Sequence, residues 1–361
     1  MSKRQILALI GCMIVGIAVI GLILALSPIG TTVPRHTFSR NFGHEIEVSK
    51  PLAIADLGVN SFYFVGATKN RVYLGSYTGP LHMVQATLPK LDTQHVLVNI
   101  IGTKIPENYR VFRMKVDSPY FYLSHGTMPG VFKGILSERS ASNFMPVNAP
   151  FFLDALPVSP TRVALKSLNT ITDASELASL TPDSPYFEFK TGILQKQVDG
   201  IFCEEGRMLY NKDLNKIVYV YTYRNEYILM DTSLSQVSRH HTIDTFRRAA
   251  INVAKVDSRN YKTLASPPMR INVESCTSGR YLYVQSSLLS KNEDDVKFRT
   301  NTVFDVYDLV EGVYLTSFYV EQNGGHFVKN FIVTNNYFVA IYDTKLVLYE
   351  LLTRHDVRAQ L

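Results

Sequence analysis

Phe62-Tyr63-Phe64-Val65-Gly66, a polar break at Thr68-Lys69-Asn70, then Arg71-Val72-Tyr73-Leu74-Gly75-Ser76-Tyr77: two short apolar runs flank one turn. Runs this brief, rich in aromatic and β-branched residues, read as paired β-strands rather than helix. The plan recurs along the chain. Ser118-Pro119 opens Tyr120-Phe121-Tyr122-Leu123, and Pro160 opens Arg162-Val163-Ala164-Leu165. Asn215 opens Ile217-Val218-Tyr219-Val220-Tyr221, which returns through Arg224-Asn225 as Tyr227-Ile228-Leu229-Met230. Gly279 opens Tyr281-Leu282-Tyr283-Val284, and Asn336 opens Tyr337-Phe338-Val339-Ala340-Ile341-Tyr342. With Ser61, Ser118, Pro160, Asn215, Gly279 and Asn336 as markers, the steps are 57, 42, 55, 64 and 57 residues.

Six units of this length fit four-stranded blades with long loops. The reading is therefore all-β, a six-bladed β-propeller over 45–361; a pair of two-sheet sandwiches is the competing architecture. Few residues follow Leu351, so the last unit has about two strands of its own. Glu45-Ile46-Glu47-Val48 or Leu52-Ala53-Ile54-Ala55 would complete it and leave no open sheet edge. No long amphipathic helix stands out. Asp173 to Leu180 reads as one or two helical turns or a loop, and Thr245 to Val256 as a strand because its end alternates.

Ahead of the propeller lies an uncharged apolar run, Ile6 to Leu26. As a helix it reaches about 31 Å, enough to cross a bilayer core. Lys3 and Arg4 precede it, which keeps the N-terminus cytoplasmic and places the rest across the inner membrane, in the periplasm. The expected layout is a single N-terminal transmembrane helix (1–27), a stalk or linker (28–44) and the propeller ectodomain. Residues 6–26 would meet the lipid bilayer. Cleavage near Ala25-Leu26-Ser27 and lipidation at Cys12 are the alternatives.

Composition bounds the function classes. The 361 residues carry 37 Lys and Arg against 31 Asp and Glu, and 46% are hydrophobic, so the chain is neither disordered nor collagen-like. The excess charge is spread out, which gives nucleic-acid binding no support. Three cysteines are too few for a disulfide-dense scaffold. The Gly-x-Ser-x-Gly elbow, the phosphate loop, the dinucleotide fingerprint and the His-Glu-x-x-His motif are all absent. No cofactor is called for.

Candidate sites rest on thinner patterns. A propeller presents loops at two mouths, and binding residues sit on such loops. That singles out His82, His125, Arg224 and Asn225 for a ligand or an envelope protein partner, against the plainer reading of ordinary hairpin tips. Asp56, Asp117, Asp199 and Glu274 each lie near the entry to a unit. They would be the carboxylates of a metal-dependent hydrolase or lactonase site in the channel; turn chemistry is the alternative. Cys203 and Cys276 precede neighbouring units and would form a disulfide if the two sulfurs approach, or remain separate buried thiols. His240-His241 with its nearby arginines, and the acidic stretch Lys291 to Lys297, read as solvated loops.

Several stretches resemble one family. They are Val72-Tyr73-Leu74-Gly75-Ser76-Tyr77-Thr78-Gly79-Pro80-Leu81-His82, Val116-Asp117-Ser118-Pro119-Tyr120-Phe121-Tyr122-Leu123, Leu194-Gln195-Lys196-Gln197-Val198-Asp199-Gly200-Ile201-Phe202-Cys203 and Asp305-Val306-Tyr307-Asp308-Leu309. They are similar to uncharacterised, membrane-anchored, propeller-like proteins of Bacteroidota. The resemblance runs from about Phe38 onward and includes the anchor. It implies no assigned activity, cofactor or catalytic residue. Members encoded near thioredoxin-like proteins imply work in envelope redox chemistry or protein maturation. The expected role is a non-enzymatic binding or scaffold module.

Overall fold

The computed structural model describes residues 3–26, 33–43, 45–102, 111–127, 130–144, 150–256 and 261–353. Residues 28–32 and 44 of the expected stalk, and Ser27 of the cleavage site, lie outside them. The chain forms two compact units, Met1–Arg35 and His36–Leu361. The first holds α1 (Lys3–Leu26), long and apolar enough to span a membrane.

The second unit is a six-bladed β-propeller. β1 (Ile46–Val48) and β2 (Ala53–Asp56) come first in the chain but belong to the last blade. Blade 1 is β3 (Phe62–Thr68), β4 (Arg71–Ser76), β5 (His82–Thr87) and β6 (Asp92–Leu97). Blade 2 follows β7 (Asn99–Ile100) and contains β8 (Arg113–Asp117), β9 (Tyr120–His125), β10 (Gly130–Ile135) and β11 (Ser140–Asn143). Blade 3 is β12 (Phe152–Ser159), β13 (Arg162–Asn169), β14 (Ala174–Leu180) and β15 (Phe187–Lys190). Blade 4 is β16 (Gly206–Asn211), β17 (Lys216–Tyr221), β18 (Glu226–Asp231) and β19 (Val237–His241). A separate hairpin, β20 (Val253–Val256) and β21 (Tyr261–Leu264), precedes blade 5. Blade 5 is β22 (Asn272–Ser278), β23 (Tyr281–Ser286), β24 (Asn301–Asp308) and β25 (Val313–Glu321), with the short helix α2 (Asp295–Thr300) between its middle strands. Blade 6 is β26 (Asn330–Thr334), β27 (Tyr337–Tyr342) and β28 (Lys345–Thr353).

The strands within each blade pair antiparallel with their sequence neighbours, so every blade folds from local hairpins. Their second strands carry the longest apolar runs because neighbouring blades cover both of their faces. In β4, β9, β17, β23 and β27, five of six residues are buried. Tight turns precede several of them, and Asn215, Gly279 and Asn335 take positive φ there, which Asn and Gly tolerate.

Six apolar clusters fill the six gaps between blades. The gap between blades 6 and 1 holds Phe62, Val72 and Leu74 against Val339, Ile341 and Leu348, and that cluster closes the ring. The N-terminal segment completes blade 6. β1 pairs with the end of β28 (Ile46 opposite Thr353) and β2 with its beginning (Ala53 opposite Leu348). Both proposed closing segments are therefore used, on one strand, and blade 6 has three strands of its own rather than two. At the narrow centre β3 bulges, and a Cβ on Gly66 would sit 2.2 Å from the Val116 carbonyl of the next blade. Only glycine allows that approach.

Several expectations change. Ser118, Pro160, Asn215, Gly279 and Asn336 mark the turn after each innermost strand, whereas Ser61 stands before one. Ala174–Leu180 is strand β14, buried at every position and not helical, because it lies inside blade 3. Within Thr245 to Val256 only the last four residues are strand. The stalk also ends early, since residues from His36 belong to the propeller. Phe38 packs on Ile271 and Leu288. Arg40 is fully buried, its Nε 2.7 Å and Nη2 3.1 Å from the two oxygens of Asp305. Its Nη1 bonds Glu293 and donates to the Leu288 carbonyl at 2.8 Å. Glu293 is thus no solvated loop residue. Next to it, Asp294 caps α2.

Candidate binding channel

The innermost strands β3, β8, β12, β16, β22 and β26 stand round the axis and line a cavity of about 800 Å³. The turns after these strands rim it, with Lys69, Asp117, Lys212, Asp213, Gly279 and Asn336 among the rim residues. Deeper in, Arg207 of β16, Glu274 of β22 and Asn330 of β26 meet. Arg207 Nη2 lies 2.5 Å from Glu274 Oε1, and Asn330 Nδ2 donates to Oε2 at 3.0 Å. Asn330 Oδ1 accepts from the Phe64 N–H at 2.9 Å, so one amide ties blade 6 to blades 5 and 1. Burial pushes the Glu274 carboxyl above its ordinary range, opposed by the charges of Arg207, Arg270 and Lys115. At the rim Lys212 bonds Asp117, and Asp213 accepts from the Gly279 N–H at 2.7 Å.

An aromatic ledge adjoins these charges. Tyr63 and Tyr77 stack with ring centroids 4.3 Å apart, and the Arg113 guanidinium lies 5.1 Å from the Tyr77 centroid. Tyr63 Oη accepts from the Met114 N–H at 3.0 Å, and burial holds its phenol at about 12. Tyr77 is also pushed up by burial, with Arg207, Glu274 and Arg113 all within electrostatic reach. The cavity is therefore walled by preformed ion pairs, with the Tyr63–Tyr77 stack within electrostatic reach of them, an arrangement suited to holding a polar ligand.

The structure scatters most of the residues singled out from the sequence. His82 stacks on His95, with Nε2 2.9 Å from His95 Nδ1, at the start of β5. His125 is buried at the end of β9 against Phe112. Arg224 is wholly buried, its guanidinium 3.5 Å from the Tyr221 centroid and 2.9 Å from Glu226. Asn225 is buried and donates to the Asp244 carbonyl. Those two hold the loop between β17 and β18 in place.

Of the four proposed metal carboxylates, Asp56 is at the outer edge of blade 6, paired with Lys345 at 2.5 Å. Asp199 is buried and accepts from the Phe202 and Cys203 N–H groups, both at 2.9 Å, which is turn chemistry. Asp117 and Glu274 do line the cavity, each already paired with a cation. The four do not converge, and among the described residues no group of three or more His, Cys, Asp or Glu is placed to hold a metal. Cys203 and Cys276 are separate buried thiols. Cys203 packs with Ala249 and Ile251, whereas Cys276 faces blade 6 and its sulfur accepts from the Val333 N–H. Burial raises the Cys276 thiol to about 11. Arg207, Asn330 and Lys115 went unremarked in the sequence. The available signal was the strict alternation of Arg113, Lys115 and Asp117 with Met114 and Val116 along β8.

No family model matches the chain, and no curated protein matches it. Among solved structures it is similar to a member of the DUF4221 family from Bacteroides vulgatus: 12% identity, 86% of this chain and 98% of that one, TM-score 0.52. It is also similar to a structural genomics protein of unknown function from Bacteroides thetaiotaomicron, at 8% identity over 89% and 75% of the two chains, TM-score 0.48. A catalytically inactive virginiamycin B lyase from Staphylococcus aureus with quinupristin matches at 8% identity over 85% and 100%, TM-score 0.46. These likenesses concern the fold alone.

Proposed function

We propose that this chain is a membrane-anchored binding module that takes its ligand into the central channel. The observation that carries the reading is the half-enclosed cavity with the Arg207–Glu274–Asn330 constellation in its wall. A closed ring with a filled core between every pair of blades holds those groups rigid, which lowers the entropy lost on binding. The apolar run 6–26 would fix the module in the inner membrane. Lys3 and Arg4 favour a cytoplasmic N-terminus and a periplasmic propeller. A role in envelope thiol exchange has less to recommend it. The thiolate is the reactive form, and the Cys276 thiol is buried and shifted away from it.

The test is a thermal-shift screen of the full-length protein in detergent against a metabolite panel. It is run in parallel on a Ser278→Trp, Asn336→Trp variant that narrows the rim. At a ligand concentration about a hundredfold above Kd, binding adds about 2.7 kcal/mol of stability. At least one compound should raise the wild-type melting temperature and not that of the narrowed variant. No such compound, or equal shifts in both proteins, overturns the channel reading.

A further inference from the structure

We infer that the ligand of this channel is a small organic anion, met by Lys115 and Arg207; the inference rests on the channel-binding reading. Glu274 lines the cavity on β22, and several cations act on its carboxyl. Arg207 contacts it, and Arg270 and Lys115 lie close enough to act on its carboxyl. The wall itself carries four bases, Lys69, Lys115, Arg207 and Lys212, and three acids, Glu274, Asp117 and Asp213, and Glu274 is already satisfied by Arg207 and Asn330.

The remaining acids of the wall do not restore the balance. Asp117 is engaged by Lys212, and Asp213 accepts the Gly279 N–H. Lys115 has no hydrogen-bond or ion-pair partner among the described residues, and it lines the cavity on β8. Lys69 lines the rim, with no side-chain bond among those residues either. An ammonium left unpaired inside a concave wall concentrates positive potential there, because low-dielectric walls focus the field. A cationic ligand would meet repulsion from Lys115 and Lys69, the lining bases whose charge no acid of the wall pairs. A neutral one would leave Lys115 desolvated and unmatched, at a cost. An anion supplies the missing partner, and charge-assisted bonds to an oxyanion are among the strong ones. The volume suits a metabolite-sized molecule. The shared chemistry is a carboxylate or phosphate oxyanion on a compact organic body.

Isothermal titration of the full-length protein in detergent, in chloride buffer, decides it. The probes are citrate, glucose 6-phosphate, glucose and spermidine. One or both anions should bind, more weakly as sodium chloride rises. Citrate and the sugar phosphate separate the carboxylate from the phosphate source. Lys115→Gln should weaken binding about tenfold or more while leaving the melting temperature unchanged, since that side chain makes no bond in the protein. Arg207→Gln should weaken it too, and Lys90→Gln, an exposed turn lysine, should not. Binding of glucose or spermidine that is lost in the narrowed variant would overturn the anion and keep the channel reading. Anion binding untouched by Lys115→Gln, or no anion binding below about 1 mM, also overturns the inference.

Discussion

Arg40 is the most consequential single side chain outside the channel. It comes from the segment just before the first closing strand and is inserted into blade 5 between Asp305 and Glu293. All three side chains are almost fully buried, at 0%, 3% and 0% exposure for Arg40, Asp305 and Glu293. Asp305 also accepts from Ser317 Oγ at 2.5 Å, and Glu293 from Tyr319 Oη at 2.6 Å. Removing the guanidinium leaves two carboxylates in one buried site with no cation. Breaking a buried pair in this way costs about 3–5 kcal/mol, chiefly the desolvation of the charge left behind. Arg40→Met fills the volume of the stem and so isolates the charge effect. At about 1.5 °C per kcal/mol for a unit of this size, the variant should melt about 4–7 °C below wild type. Adding Glu293→Gln and Asp305→Asn removes the stranded charges but keeps acceptors for Tyr319 and Ser317, and should recover most of the loss. The assay is circular dichroism melting of the full chain in detergent, with limited proteolysis of residues 36–43 as a second readout. An Arg40→Met melting point within about 2 °C of wild type refutes the reasoning. So does a triple variant less stable than the single one.

Two further outcomes follow from the closure and from one buried acid. Ile46 is 3% exposed in the core between blades 5 and 6, whereas Ile54, in the second closing segment, is 54% exposed. Ile46→Ala should cost about 2–5 kcal/mol and Ile54→Ala less than about 0.5, read as melting shifts; equal shifts would contradict the pairing of β1 with β28. Glu204 is almost fully buried, and burial raises its carboxyl to about 7. A folded value above the unfolded one means that the native state holds the proton longer. The stability is full below the unfolded value near 4.5 and falls as pH rises through about 7, by as much as about 3 kcal/mol. Glu204→Gln should therefore gain on wild type between pH 5 and pH 8 in melting temperature. A difference that does not change with pH refutes the assignment.

The fold was legible where burial is symmetric. A second strand such as Ile217–Tyr221 is covered by blades on both faces, so it reads as an unbroken apolar run that few other contexts produce. The innermost strands are mixed, as in Arg-Met-Lys-Val-Asp of β8, because one set of side chains packs and the other lines the cavity. That is why repeat markers fall one strand late, and why blade 6 looked two strands short although β26 was present. β14 was lost for a related reason. Its Ala-Ser-Glu-Leu-Ala-Ser-Leu composition has the small residues and the acid of a helical turn, and only burial between blades makes it a strand. Tertiary context overrode weak local propensity.

The site was less legible, and the reason is physical. Loop residues such as Arg224 and Asn225 carry functional chemistry in many folds, so a reading from sequence looks for them at turns. Here the connection into blade 4 and the β17–β18 turn within it are themselves packed, and their polar groups are consumed in holding the loops. Asp199 caps a turn, Asn225 reaches the Asp244 carbonyl, and Arg224 pairs with Glu226. The groups free to meet a ligand are instead on strands, where a charged residue ordinarily signals a solvent face. A propeller makes that inference fail, since its innermost strands run along a channel that is neither core nor open surface. Charge at alternate positions of a strand that is otherwise apolar, as in Lys115 and Asp117, marks such a wall. Among those residues, the one that its neighbours leave without a partner is the one with the most to gain from a ligand.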